Sequence, residues 1–63
     1  MPMIRVEMFP CGAEKKKELM QALTDETARV IGCPRQAVDV VVHFVDPDDW
    51  CKGGQVLSER HTK

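Results

Sequence analysis

One stretch of helical periodicity lies between two β-rich runs, and that order restricts the fold more than any other feature of the chain. From Ala13 to Ile31, Leu19, Met20, Leu23, Thr27, Val30 and Ile31 recur at three- and four-residue steps. Lys15, Lys16, Glu18, Asp25, Glu26 and Arg29 occupy the other side, so the spacing predicts an amphipathic helix. Gly32 is placed to stop it in a left-handed cap, and Pro34 follows two residues later. Ahead of the helix, Pro2 to Phe9 reads as a strand in which Ile4, Val6 and Met8 alternate with Arg5 and Glu7. Pro10-Cys11-Gly12 breaks that strand. Beyond the helix, Ala37 to Val45 is a nearly continuous β-branched run, the pattern of a strand covered on both faces. Asp46-Pro47-Asp48-Asp49 is a turn-rich loop, followed by Trp50 and Gly53-Gly54, a short strand at Gln55 to Ser58 and a tail from Glu59 to Lys63.

Strand, long helix and strand together imply a crossover connection and parallel pairing. The expected class is therefore α/β (α+β): a β-α-β fold with a parallel two-stranded sheet and a short C-terminal hairpin or strand, in a single domain spanning residues 1–63. One helix covers one face of such a sheet. The other face, with Val41 on or near it, must find cover from another subunit, so the chain is expected to form an oligomer.

Size supports that expectation. A core built from 63 residues supplies only about 3–5 kcal/mol, and chains this short rely on disulfides, metals or partners. Cys11, Cys33 and Cys51 are odd in number and scattered, and neither they nor His43 and His61 show zinc-site spacing. Met1-Pro2-Met3-Ile4-Arg5 lacks the basic region and apolar run of a signal peptide, and no stretch nears the roughly 20 apolar residues of a membrane span. A cytoplasmic protein with reduced thiols is expected. The net charge of −1 mixes both signs along the chain, without the clustered Lys and Arg of a nucleic-acid surface.

Pro2 reads either as a small residue tolerated after the initiator methionine or as a candidate for chemistry. Removal of Met1 exposes a secondary amine, and an amino-terminal amine titrates near 7.7–8.0, lower when buried or beside cations. It can take a proton near neutrality and return it, acting as base and then acid. With Met1 retained, Pro2 is an amide nitrogen without basicity.

The order of a proline-led strand, turn, long helix, glycine cap, Pro34, valine-rich strand, aromatic and Gly53-Gly54 resembles the 4-oxalocrotonate tautomerase family over nearly the whole chain. The resemblance implies the tautomerase fold and a hexamer built as a trimer of dimers. It also implies proton transfer in a small enol or keto acid by Pro2, at an apolar pocket between subunits with Trp50 as its aromatic, and no metal or organic cofactor. Two family features are missing. Well-known members carry an arginine just after the first strand, where this chain has Pro10-Cys11-Gly12, and another at the position aligned with Asp39. Such cations stabilise developing enolate charge, and losing one donor of that kind typically costs about 10²–10³ in rate. Arg35, near the start of the second strand, is the candidate substitute. Asp39 and His43 share a strand face with Val41 between them. They read either as an acid/base pair near Pro2 that positions water or as an exposed aspartate and an interface histidine.

Three functions stay open on these grounds. One is a tautomerase acting on a small enol or keto acid with one carboxylate. Another is a hydratase- or dehalogenase-type relative using Asp39 or His43. The last is a non-catalytic subunit of a mixed oligomer, completed by a paralogous chain that supplies the arginines.

Overall fold

The computed structural model describes residues 2–59; Met1 and residues 60–63, with His61 and most of the expected tail, lie outside the described residues. Strand β1 (Met3–Met8) leads into helix α1 (Ala13–Ile31), strand β2 (Asp39–Phe44), and a hairpin of β3 (Cys51–Lys52) and β4 (Gln55–Val56). β1 and β2 pair in parallel, with Met3 beside Asp39, Arg5 beside Val41, and Glu7 beside His43. The expected topology is present.

The helix occupies the predicted span. Its half-buried side chains, Lys16, Leu19, Met20, Leu23, Thr24, Thr27 and Ala28, follow helical spacing along one stripe. Thr24 Oγ1 donates to the Met20 carbonyl at 2.8 Å, so its half-buried hydroxyl is satisfied within the helix. The stripe faces the Ile4, Val6, Met8, Val40 and Val42 side of the sheet, and Lys16 Nζ lies 4.8 Å from the Phe44 ring centre. At the far end, Gly32 adopts φ 83° and ψ 35°. The Ala28 carbonyl accepts from Gly32 N at 2.9 Å and from Cys33 N at 3.2 Å, closing the last turn.

Val30 and Ile31 depart from expectation. They continue the apolar stripe in sequence, yet are 64% and 62% exposed. The reason is length. Nineteen helical residues extend about 28 Å, whereas six strand residues extend about 20 Å. The last helical turn has no sheet beneath it.

Two strand boundaries also differ. The segment Arg35–Ala37 is a 3-10 turn held by Ala37 N to the Pro34 carbonyl and Val38 N to the Arg35 carbonyl, both 3.0 Å, so β2 starts at Asp39 rather than Ala37. The expected strand from Gln55 to Ser58 stops at Val56: Leu57 N still donates to the Trp50 carbonyl at 2.8 Å, the next rung of the hairpin, but Leu57–Glu59 then forms another 3-10 turn. Gly53 and Gly54, at φ 60° and 85°, supply the two-residue turn between β3 and β4.

No side chain is fully buried among the described residues. The outer sheet face presents Met3, Arg5, Glu7, Asp39 and His43 to solvent, with Val41 half-buried among them. The chain measures 43 × 24 × 14 Å, and its radius of gyration of 15.0 Å exceeds the about 10.6 Å expected of a compact chain this long. Stability in solution is therefore expected to depend on association. The thermal midpoint should rise with protein concentration, and a midpoint constant over a hundredfold range would contradict this. Gly32→Ala meets no atom within 4 Å but must hold a positive φ, so it should cost about 1 kcal/mol in urea unfolding.

Candidate functional site

Pro2 stands half-buried at the N-terminal end of the sheet, one residue before β1. Its carbonyl accepts from Asp39 N at 3.0 Å, an extra rung below the paired strands. That bond is between main-chain atoms, so it fixes Pro2 against β2 whatever side chain residue 39 carries. Asp39 itself is exposed, on the outer face beside Met3.

Arg35 lies four residues before β2, at the same end of the sheet. Its Nε donates to Asp25 Oδ1 on the helix, in an ion pair whose side chains are more than half exposed. The guanidinium retains further donors in its planar fork, so the pairing orients the group without using it up. The other ion pair among the described residues, Arg29 with Glu26, lies on the exposed side of α1, where the Glu26 hydrogen bond raises the Arg29 pKa.

His43 is at the opposite end of the sheet. It pairs in register with Glu7 and is separated from Asp39 by four residues, about 13 Å along the strand. Asp39 and His43 share a face, as their spacing predicted, but only Asp39 adjoins Pro2.

Trp50 is farther still. Val45 N donates to the Met8 carbonyl at 2.8 Å, so both strands leave the sheet together. The chain then turns through Pro47–Asp49, with Asp46 Oδ1 accepting from Asp48 N at 2.9 Å. This returns Trp50 against Phe9, with ring centres 4.9 Å apart and planes at 66°, an edge-to-face contact. An open hollow of about 340 Å³ beside them is lined by Phe9, Pro47, Leu57 and Ser58. A second, of about 240 Å³, is bounded by Glu7, Val45, Asp49, Trp50 and Cys51. Phe9 as the partner of Trp50 escaped the sequence reading, which treated it as the end of a strand. Its signal was an aromatic placed where the first strand exits, parallel to the exit that leads to Trp50.

Pro2 and the aromatic pair thus occupy opposite ends of β1, on the order of 20 Å apart. A single chain does not bring them together. Among the described residues no three His, Cys, Asp or Glu side chains gather as a metal site, and no helix is long and apolar enough to cross a membrane. Cys11, Cys33 and Cys51 are unbridged.

A parallel β-α-β unit with one covered face and a glycine-turned hairpin is the architecture of a small class of α+β proteins. Within that class the chain belongs to the tautomerase family: it matches the pattern described as "Tautomerase enzyme" over residues 2–60. Among solved structures it resembles a 4-oxalocrotonate tautomerase homologue at 32% identity, covering 98% of this chain and 100% of the other, with TM-score 0.86. TomN, a 4-oxalocrotonate tautomerase homologue in the tomaymycin biosynthetic pathway, is 33% identical over 94% of this chain and 92% of its own, with TM-score 0.89. A heterohexamer 4-oxalocrotonate tautomerase from Chloroflexus aurantiacus is 29% identical over 97% and 100%, with TM-score 0.88.

The exposed Arg35–Asp25 pair should contribute little to folding. Asp25→Asn is expected to change unfolding free energy by less than about 1 kcal/mol, measured by urea titration at fixed protein concentration.

Proposed function

We propose that this protein is a tautomerase that moves a proton within a small enol or keto acid bearing one carboxylate, with Pro2 as base and then acid. The supporting observation is Pro2 itself. It is the first residue of the family match, and its carbonyl is anchored to Asp39 N at the open end of the sheet. With Met1 removed, the neutral secondary amine takes the enol hydroxyl proton. The oxygen lone pair re-forms the carbonyl, the carbon–carbon double bond collapses onto its terminal carbon, and that carbon receives the proton from the prolinium. Proline leaves the cycle unchanged, and neither metal nor organic cofactor takes part. Arg35 is the cation available at this end to hold the substrate carboxylate.

The aromatic wall is assigned to a second subunit, because Trp50 lies a strand's length from Pro2 of its own chain. A hexamer is the proposed assembly. Asp39, where the resemblance places an arginine, repels a second carboxylate and favours a monoacid. The hydratase- or dehalogenase-type reading requires Asp39 and His43 to act together, and their separation of about 13 Å gives it no support within one chain. A mixed oligomer has one specific point in its favour: the acid at position 39 leaves a place for a cation from another chain, and the Chloroflexus relative is a heterohexamer.

Intact mass spectrometry and ketonisation of phenylenolpyruvate test the proposal together. The expected result is a chain lacking Met1 that converts the enol, with Pro2→Ala about 10²-fold slower. A processed but inert protein would refute the single-chain enzyme and favour the mixed oligomer. Undiminished activity in Pro2→Ala would exclude proline as the base.

A further inference from the structure

Two arginines are held by carboxylates of α1, and they are held differently. Arg29 donates to Glu26 Oε2 from Nε at 3.0 Å and from Nη2 as well, which occupies one whole edge of its guanidinium. Arg35 donates to Asp25 Oδ1 from Nε alone. A guanidinium carries five N–H donors, and its two terminal nitrogens form an edge that matches a carboxylate. On Arg35 that edge makes no hydrogen bond among the described residues, and the side chain is 58% exposed.

The backbone brings this arginine and Pro2 to one place. The Arg35 carbonyl accepts from Val38 N at 3.0 Å, and the next amide, Asp39 N, donates to the Pro2 carbonyl at 3.0 Å. Successive amides therefore tie the turn Arg35–Ala37 and the proline to the start of β2. What the backbone leaves unfixed is the long side chain of Arg35. An arginine loses rotamer freedom when it captures a ligand, and one oriented beforehand loses less. Asp25 supplies that orientation from a helix of 19 residues. Both partners are more than half exposed, so the Asp25 charge opposes an incoming anion weakly, and orientation is the larger effect.

We infer that Asp25 is a positioning residue: it holds Arg35 by Nε so that the Nη1–Nη2 edge receives the substrate carboxylate end-on, at the Pro2 end of the sheet. The inference rests on the proposed proton-transfer function for the identity of the substrate, while the carboxylate site itself is tested by binding alone.

The test is a double-mutant cycle on the full, processed chain. With phenylenolpyruvate, Asp25→Ala is expected to raise KM about fivefold and Arg35→Ala about tenfold, each leaving kcat within about twofold. The double variant should be no worse than Arg35→Ala, because Asp25 acts through that side chain. Asp25→Asn, which keeps an acceptor oxygen in place, should stay closer to wild type than Asp25→Ala. Calorimetry on Pro2→Ala removes turnover from the question. There, unreactive 3-phenylpropanoate should weaken by the same factors in the same cycle, while neutral 3-phenylpropanamide is indifferent to both substitutions. Circular dichroism and oligomer mass confirm that each variant remains assembled. Additive losses, a loss confined to kcat, or tighter acid binding in Asp25→Ala would overturn the assignment. So would acid binding indifferent to Arg35→Ala, even where turnover depends on Pro2. The expected binding cycle together with turnover indifferent to Pro2→Ala supports the carboxylate site and refutes the proline mechanism.

Discussion

The parallel pairing of β1 and β2 is the constraint from which the rest of the molecule follows. Parallel strands require a long connection, and the chain spends its 19-residue helix on that crossing. The crossing covers one sheet face. Among the described residues nothing covers the other, since those after β2 go into a small hairpin. The pairing also sends both strand exits out at one end and gathers both entrances at the other. Every residue of chemical interest then falls into one of two groups: Pro2, Arg35 and Asp39 at the entrances, and Phe9, His43 and Trp50 at the exits.

That division bears on the pocket the proposed function requires. Neither end encloses a cavity, and the aromatic hollow lies open beside a two-stranded hairpin. On the proposed function such a chain presents half-sites, and apposing an entrance of one copy to an exit of another would join Pro2 to the wall of Phe9 and Trp50. The exposure of Val30 and Ile31 in the last turn of α1 has the same origin: elements of unequal length leave apolar side chains without cover in the isolated subunit. Folding and site formation draw on the same unsatisfied surfaces.

Much of the architecture was legible in the residues. The helix was marked at both ends, by Gly12 and Gly32, and its seven half-buried positions repeat at the interval a helix imposes. The strand order followed from connection length. The sequence was less informative where backbone hydrogen bonding competes with side-chain preference. Val38 has β character, yet closing onto Pro34 and Arg35 satisfies the amides of Ala37 and Val38 before β2 begins. Leu57 keeps its hairpin rung to the Trp50 carbonyl, yet the 3-10 turn at Leu57–Glu59 ends the strand there. Among the candidate site residues, Pro2, Asp39 and Trp50 were proposed from order and resemblance, whereas the meeting of Phe9 and Trp50 was not. That contact joins residues far apart in the chain, and no local periodicity encodes it. The face shared by Asp39 and His43 was visible in their spacing; the distance between them became chemically informative once Pro2 was located at one end.

The anchoring of Pro2 through the main chain at residue 39 has an evolutionary consequence. A side chain that held the terminal residue in place would be locked by that duty. Here the amide does the holding, and the side chain at the same position projects on an exposed face. Its charge can be inverted without disturbing the main-chain bond that holds the proline, so the side chain at residue 39 and the placement of Pro2 can diverge independently. On the proposed function, a lineage with this arrangement can explore new acids at a position adjoining Pro2 while the scaffold beneath stays as it was.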